Sequence, residues 1–392
     1  MTPAPSSSNL RTPRVTSRLP QVGTTIFTVM SALAAEHKAV NLGQGFPDFD
    51  CDPHLIELVN DAMRRGLNQY PPMPGVLALR EAVAQKMERF YGQVYDSGSE
   101  ITITAGATQA VITSILALVH PGDEVIVLDP CYDCYDPAIT LAGARAVHVP
   151  LTPRSFRPDF ARIAAALTSH TRAIVINSPH NPSATTWNEH DMRQLADLLR
   201  PTDVIVISDE VFEHMVFDGQ RHESAARWPE LAARSVIVSS FGKTYHVTGW
   251  KVGFVAAPTS LMAEFRKVHQ FNVFTVNTPV QHGLAAYMAN PAPCLELPAF
   301  YQRKRDLFRD GLARTRFKLL PSEGSFFQCV DYSAISDASE EDFCRWLTTD
   351  VGVAAIPLSA FYAQPFEQRL ARFCFAKKDE TLALALERLA RI

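Results

Sequence analysis

From about residue 100 the chain repeats one pattern: a short unbroken run of β-branched and apolar residues, a turn, and then a longer helical stretch. "EITITAG" leads into "ATQAVITSILALVH", and "DEVIVLDP", "ARAVHVPL", "TRAIVINSP", "DVIVISDE", "SVIVSSFG" and "GWKVGFVAAP" follow. These runs are continuously apolar rather than alternating, as strands covered on both faces require. Helices such as "NEHDMRQLADLLR", opened by Asn188, separate several of them. The alternation predicts an α/β fold built on a mostly parallel sheet with helices on both sides.

After about residue 290 the character changes. "NPAPCLELP" reads as a Pro-rich break before the charged helix "FYQRKRDLFRDGLART", and "GSFFQCVDY", "SEEDFCRWLTTD", "LARFCFA" and "DETLALALERLARI" then suggest a smaller α+β domain. A length of 392 residues fits two domains better than one core. The opening "MTPAPSSSNLRTPRVTSRLPQVG" has three arginines, four prolines and no acidic residue, which predicts a flexible tail over residues 1–23.

A net charge of −4 leaves no basic surplus for gripping nucleic acid. No run is long and apolar enough for a membrane span or a secretory leader. Seven cysteines, an odd number, argue for a reducing compartment, so a cytoplasmic location is expected.

Ligands of open α/β sheets bind beyond the carboxyl ends of the strands, so the residues there carry the chemistry. Ala105-Gly106-Ala107-Thr108 follows "ITIT" and opens a helix, a turn that suits either simple geometry or an anion at the helix N-terminus. "CYDCY" follows "VIVLDP": Cys131 and Cys134 could form a redox pair or half a zinc site, but no second cysteine pair accompanies them, and no metal is expected. Tyr132 either packs or stacks on a flat ligand. Asn181, before Pro182, makes a turn or offers an amide to a cleft. Asp209 ends a buried apolar strand, where a carboxylate is costly unless it is paired within the fold or faces a bound cation. Lys243 follows "SVIVSS" and is either a surface lysine or a desolvated, nucleophilic amine. One cofactor uses all of these at once. Pyridoxal 5′-phosphate needs an amine for its Schiff base, a carboxylate for its pyridine nitrogen, an anion site and a stacking partner.

The motifs "NLGQGFPDF", "NQYPPMPG", "AGATQA", "DPCYDCY", "NSPHNPSA", "SDEVFEH", "SSFGKTYHVTGWKVGF" and "ARFCFAKKDETL" resemble those of class I/II aminotransferases, pyridoxal-phosphate-dependent transferases of fold type I. They are most similar to the kynurenine/glutamine aminotransferase branch, and within it to bacterial methionine aminotransferases. The resemblance runs from about residue 24 to the C-terminus with the motifs in family order. It implies a large cofactor-binding domain over residues 46–290 and a small domain formed by 24–45 and 291–392. It also implies that Lys243 carries the cofactor and moves the proton, that Asp209 keeps the ring nitrogen protonated, that Asn181 bonds the 3′ oxygen and that Tyr132 stacks on the ring. Ala107, Thr108, Ser240 and Lys251 would hold the phosphate, with Tyr70 reaching it from the neighbouring subunit of a homodimer. Arg372 would clamp the substrate α-carboxylate, a task for its two-pronged guanidinium, with Gly43 against the same group.

Phe27, Tyr132 and Phe274 would surround the substrate side chain, with Tyr70 at the edge, which favours an apolar or aromatic amino acid such as methionine. The expected reaction is ping-pong transfer of its amino group to a 2-oxo acid. Two positions depart from the common pattern. Phe212 stands where most members have Tyr, so one bond to the 3′ oxygen is expected to be missing. Thr275 stands where kynurenine-preferring members often have His. Kynurenine or glutamine transamination and elimination from S-substituted cysteines are the alternative activities on the same residues, and a cofactor-binding sensor without catalysis is the reading from another class.

Overall fold

The computed structural model describes residues 13–392. The expected tail over 1–23 therefore lies partly outside the described residues. Seven strands form the main sheet: β1 (Ile101–Thr104), β2 (Glu124–Asp129), β3 (Arg145–Pro150), β4 (Thr171–Asn177), β5 (Ile205–Asp209), β6 (Ser235–Ser240) and β7 (Gly253–Ala256). Their spatial order is β1-β7-β6-β5-β4-β2-β3. β3, β2, β4, β5 and β6 pair in parallel, while β7 runs antiparallel between β6 and β1. The continuously apolar runs are explained by burial on two sides. Val125, Val127, Val175, Ile207, Val236 and Val238 face one core cluster, and Ile126, Leu128, Ile174, Ile176, Val206 and Ile237 face the other.

Register places the chemistry-bearing ends side by side. Asn177 is opposite Asp209, Asp209 is opposite Val238, and Gly253 is opposite both Ser240 and Thr104. Gly253 must be glycine there, because a Cβ would come 2.6 Å from the Ser239 carbonyl oxygen. Helix α1 (Gly106–Leu118) starts two residues after β1, so its free N–H groups point to the same edge. Helix α2 (Glu189–Leu199) begins with a reciprocal capping box between Asn188 and Asp191, as the sequence suggests.

Beyond the main sheet, β8 (Lys318–Leu319), β9 (Phe327–Asp331), β10 (Ile356–Pro357) and β11 (Leu370–Cys374) form a four-stranded antiparallel sheet in the order β10-β11-β9-β8. Arg372 lies in its middle, opposite both Cys329 and Ile356. A two-residue parallel pairing of Val40–Asn41 with Val353–Ala354 ties the N-terminal segment to this part.

One reading needs correction. The Pro-rich "NPAPCLELP" is not a break: helix α3 spans Ala292–Leu312 and includes Pro298 in its interior. Pro293 stands in the first turn, where its missing N–H costs nothing, and Pro298 forfeits one ladder bond. Burial of Cys294, Leu297, Tyr301 and Phe308 on one side offsets that loss.

Candidate active site

A cavity of about 360 Å³ opens at the aligned strand ends. Its wall includes Phe27, Ala107, Thr108, Tyr132, Asn181, Asp209, Ser240, Lys243, Lys251 and Arg372, so most of the residues singled out in the sequence converge on one space.

Lys243 follows β6 on a single helical turn, Phe241–Thr244, that aims its amine into the cavity. Burial pulls its pKa down to about 8; Arg372 and Lys251 add to the fall, and Cys374 and Asp209 oppose it. At pH 7 roughly one amine in ten is then neutral, against one in a few thousand for an ordinary lysine. The ammonium donates to the Gly45 carbonyl at 2.9 Å and lies 5.1 Å from the Phe326 ring centre and 5.5 Å from that of Phe212.

Asp209 is 5% exposed at the end of β5. Burial lifts its carboxyl to about 6, against the Tyr135 hydroxyl, which donates to Oδ2 at 2.6 Å, and the Val211 N–H, which donates to Oδ1 at 3.3 Å. Such a group is suited to a cationic partner arriving from the cavity. The Asn177 amide fixes this strand end from the side by donating to the Asp209 carbonyl, and its own oxygen accepts from the Asn181 N–H.

Arg372 is fully buried, and burial lowers its guanidinium to about 10. Phe327, Phe361 and Phe27 surround it at 4.0, 4.9 and 5.4 Å. Its Nη1 donates to Asn181 Oδ1 at 2.6 Å and its Nη2 to the Gly43 carbonyl at 2.9 Å, while Nε has no partner among the described residues. A buried cation without a carboxylate is costly, and a bound anionic group would compensate it. The anion cradle is equally plain at α1. A Cβ on Gly106 would approach Lys251 Cε and Nζ at 3.3 Å, so the lysine folds directly over the helix N-terminus. Cavity, carboxylate, cation and cradle fit pyridoxal 5′-phosphate: Asp209 would face its ring nitrogen, Tyr132 its ring, and Ala107, Thr108, Ser240 and Lys251 would hold its phosphate.

Three residues lie elsewhere. Gly43 does not line the cavity; its N–H donates to Asn41 Oδ1 and its carbonyl holds Arg372. Tyr70 is 81% exposed and stacks edge-on against Phe274 at 5.3 Å, and neither faces this chain's own cavity. Sequence reasoning missed Tyr135, Asn177 and Phe327. Tyr135 stands three residues beyond Tyr132 and Asn177 ends its strand, so both were within reach of the strand-end argument; nothing local marks Phe327. Cys131 is packed with Asp129 and His148, and Cys134 lines the cavity. Burial raises both thiols well above their usual range, so neither is poised as a thiolate.

Exchanging Arg372 for Lys keeps the charge but loses the fork. For a guanidinium that would receive a substrate carboxylate, the expected result is a fall of about 10²-fold in kcat/KM, carried by KM. A change confined to kcat would argue against carboxylate binding.

The family model for aminotransferase class I and II matches residues 37–389. A methionine aminotransferase of Escherichia coli (strain K12) is 53% identical over 377 residues, covering 96% of this chain and 98% of that protein. Human kynurenine–oxoglutarate transaminase 1 is 34% identical, covering 92% and 93%. Among solved structures, an E. coli protein described as having methionine aminotransferase function superposes with a TM-score of 0.96 at 52% identity, covering 97% of this chain and all of that one. An N-succinyldiaminopimelate aminotransferase of Mycobacterium tuberculosis gives 0.93 at 39% identity, covering 96% and 100%.

Proposed function

The chain belongs to the class I and II aminotransferases, enzymes that use pyridoxal 5′-phosphate, and from that premise we propose that it transfers the amino group of methionine and similar apolar L-amino acids to a 2-oxo acid. The observation that carries the reading is Arg372, a buried guanidinium whose Nε has no partner among the described residues, set in the same cavity as a Lys243 amine whose pKa is pulled down to about 8.

When bound, the cofactor supplies a carbonyl that accepts the amino group and a ring that withdraws electrons from Cα. The residues do the rest. Arg372 orients the substrate through its α-carboxylate, helped by the Asn181 amide. Lys243 Nζ takes the Cα proton, for which a pKa near the working pH is favourable. Asp209 holds a proton on the ring nitrogen opposite it. Phe27, Tyr132 and Phe327 supply apolar wall that excludes water and accepts a thioether or hydrocarbon side chain. An apolar wall separates such side chains by only about 1–3 kcal/mol, so leucine and phenylalanine should also react.

A homodimer completes the site in this reading. Tyr70 and Phe274 form an exposed aromatic pair unused by their own chain, with Phe271 also 89% exposed close by in sequence. Mixing a Tyr70→Ala subunit with a Lys243→Ala subunit should restore activity, because one site of the mixed dimer then has both residues. No recovery after verified subunit exchange would remove Tyr70 from the neighbour's site. The seven thiols are free, which suits a reducing compartment such as the cytoplasm.

The test of the reaction is to add L-methionine to the holoenzyme without an oxo acid. One equivalent of 4-methylthio-2-oxobutanoate per site, with loss of the yellow absorption, is expected. A yellow protein unmoved by methionine but bleached by another amino acid would keep the reaction class and overturn the substrate.

A further inference from the structure

The backbone that faces Lys243 and Arg372 is held by a third buried cation. Lys377 stands five residues beyond Arg372, after the end of β11, and is 3% exposed. Its ammonium donates to the Phe46 carbonyl at 2.7 Å and to the Gln44 carbonyl at 3.4 Å, and lies 4.9 Å from the Phe46 ring centre. It has no carboxylate partner among the described residues. Four consecutive carbonyls thus accept from buried cations: Gly43 from Arg372, Gln44 from Lys377, Gly45 from Lys243 and Phe46 from Lys377. Odd positions serve the site and even positions serve Lys377. The loop has no room to drift inward, since a Cβ on Gly45 would lie 2.9 Å from Phe327 Cζ.

An unpaired buried ammonium costs stability and needs a compensating arrangement. Here the compensation is the loop itself. We propose that Lys377 is a positioning residue for transamination: it fixes the Gly43–Phe46 loop so that the Gly45 carbonyl meets the Lys243 amine and the Gly43 carbonyl braces Arg372. This rests on the roles of Lys243 and Arg372 given above. A carbonyl that accepts from an ammonium favours the charged form, so releasing the loop lowers the basicity of Lys243. Loss of the Lys377 charge by itself acts in the opposite direction, since one less cation nearby makes Lys243 easier to protonate. The other charged and titratable groups around Lys243 are Arg372, Lys251, Asp209 and Cys374, and none of them is altered.

The experiment is competitive acetylation of the cofactor-free protein with acetic anhydride across pH, read at Lys243 by peptide mass spectrometry, for wild type and Lys377→Met. The variant is expected to titrate Lys243 about one unit lower, so that the neutral fraction at pH 7 rises from about one in ten to about one in two and labelling becomes about fivefold faster. The reconstituted variant should show KM raised about tenfold for both amino acid and oxo acid. Unchanged or slower labelling at Lys243 would overturn the proposal, since a residue that only holds the fold would alter melting and leave this titration alone. Should Lys377→Met not fold, Lys377→Gln carries the same two readouts. A wild-type Lys243 that titrates like a surface lysine would instead remove the reading of Lys243 as the site amine, a distinguishable result.

Discussion

Replacing Lys243 with Ala is expected to lower turnover by roughly 10⁴-fold or more while leaving the fold intact. The amine lies in the cavity on a single turn after β6; among the described residues no carboxylate bonds to it, and the Gly45 carbonyl is its one hydrogen-bond partner. Removing it deletes no ion pair and leaves one carbonyl beside the cavity, where water can reach it. Cofactor affinity should fall less than rate, because Asp209, Ser240, Lys251 and the N-terminus of α1 remain. The measurement is turnover and cofactor binding on the same preparation, with melting as the check on folding. A Lys243→Ala protein that keeps more than about a hundredth of wild-type turnover would show that another group takes the Cα proton.

Asp209→Asn is expected to cost about 10³-fold in kcat with a much smaller change in substrate KM. A neutral amide cannot hold a proton on the ring nitrogen. The same change should stabilise the cofactor-free chain. Burial raises the Asp209 carboxyl to about 6 in the fold, above its usual value of 3.8. The folded state therefore favours the protonated form: its relative stability is fully present below about 4 and lost as pH rises through about 6. At pH 7 the ionised group costs the cofactor-free fold on the order of 3 kcal/mol. Asn keeps an acceptor for the Tyr135 hydroxyl and carries no charge, so the melting temperature at pH 7 should rise by several degrees. In wild type, cofactor affinity should decline as pH falls through about 6, because a protonated Asp209 no longer opposes the ring cation, and this step should vanish in the variant. A variant that is both active and less stable would contradict the role and the cost together.

Between them these variants separate two kinds of legibility. Strand-end residues were readable because a charge or amide at the end of an apolar run is expensive and must have a partner. Asp209 stands out on that ground alone, while Lys243 and Asn181 stayed open between an ordinary loop residue and a site residue. Phosphate-site residues were weaker signals singly and gained force from their order. The residues beyond the main sheet were different. Arg372 sits in "LARFCFA", a run that reads only as a buried strand with a misplaced cation, and its role came from resemblance rather than from spacing. The same blindness covers Phe327, which packs on Arg372 from another strand, and Lys377, which bonds carbonyls more than 300 residues away.

The sequence by itself determined the α/β layers, the strand ends that carry chemistry, and the family, because unbroken apolar runs and their terminal residues are local facts. It misread what packing overrides, as in α3, where a buried face holds a helix across Pro298. Tertiary structure alone decided the register that sets Asn177 opposite Asp209 and Asp209 opposite Val238, two residues before Ser240, the phenyl cage around Arg372, and the run of four carbonyls shared among three buried cations. Those features bring together residues up to about 330 positions apart. A local pattern cannot encode them, since the partner of a buried cation is selected by the fold that desolvates it.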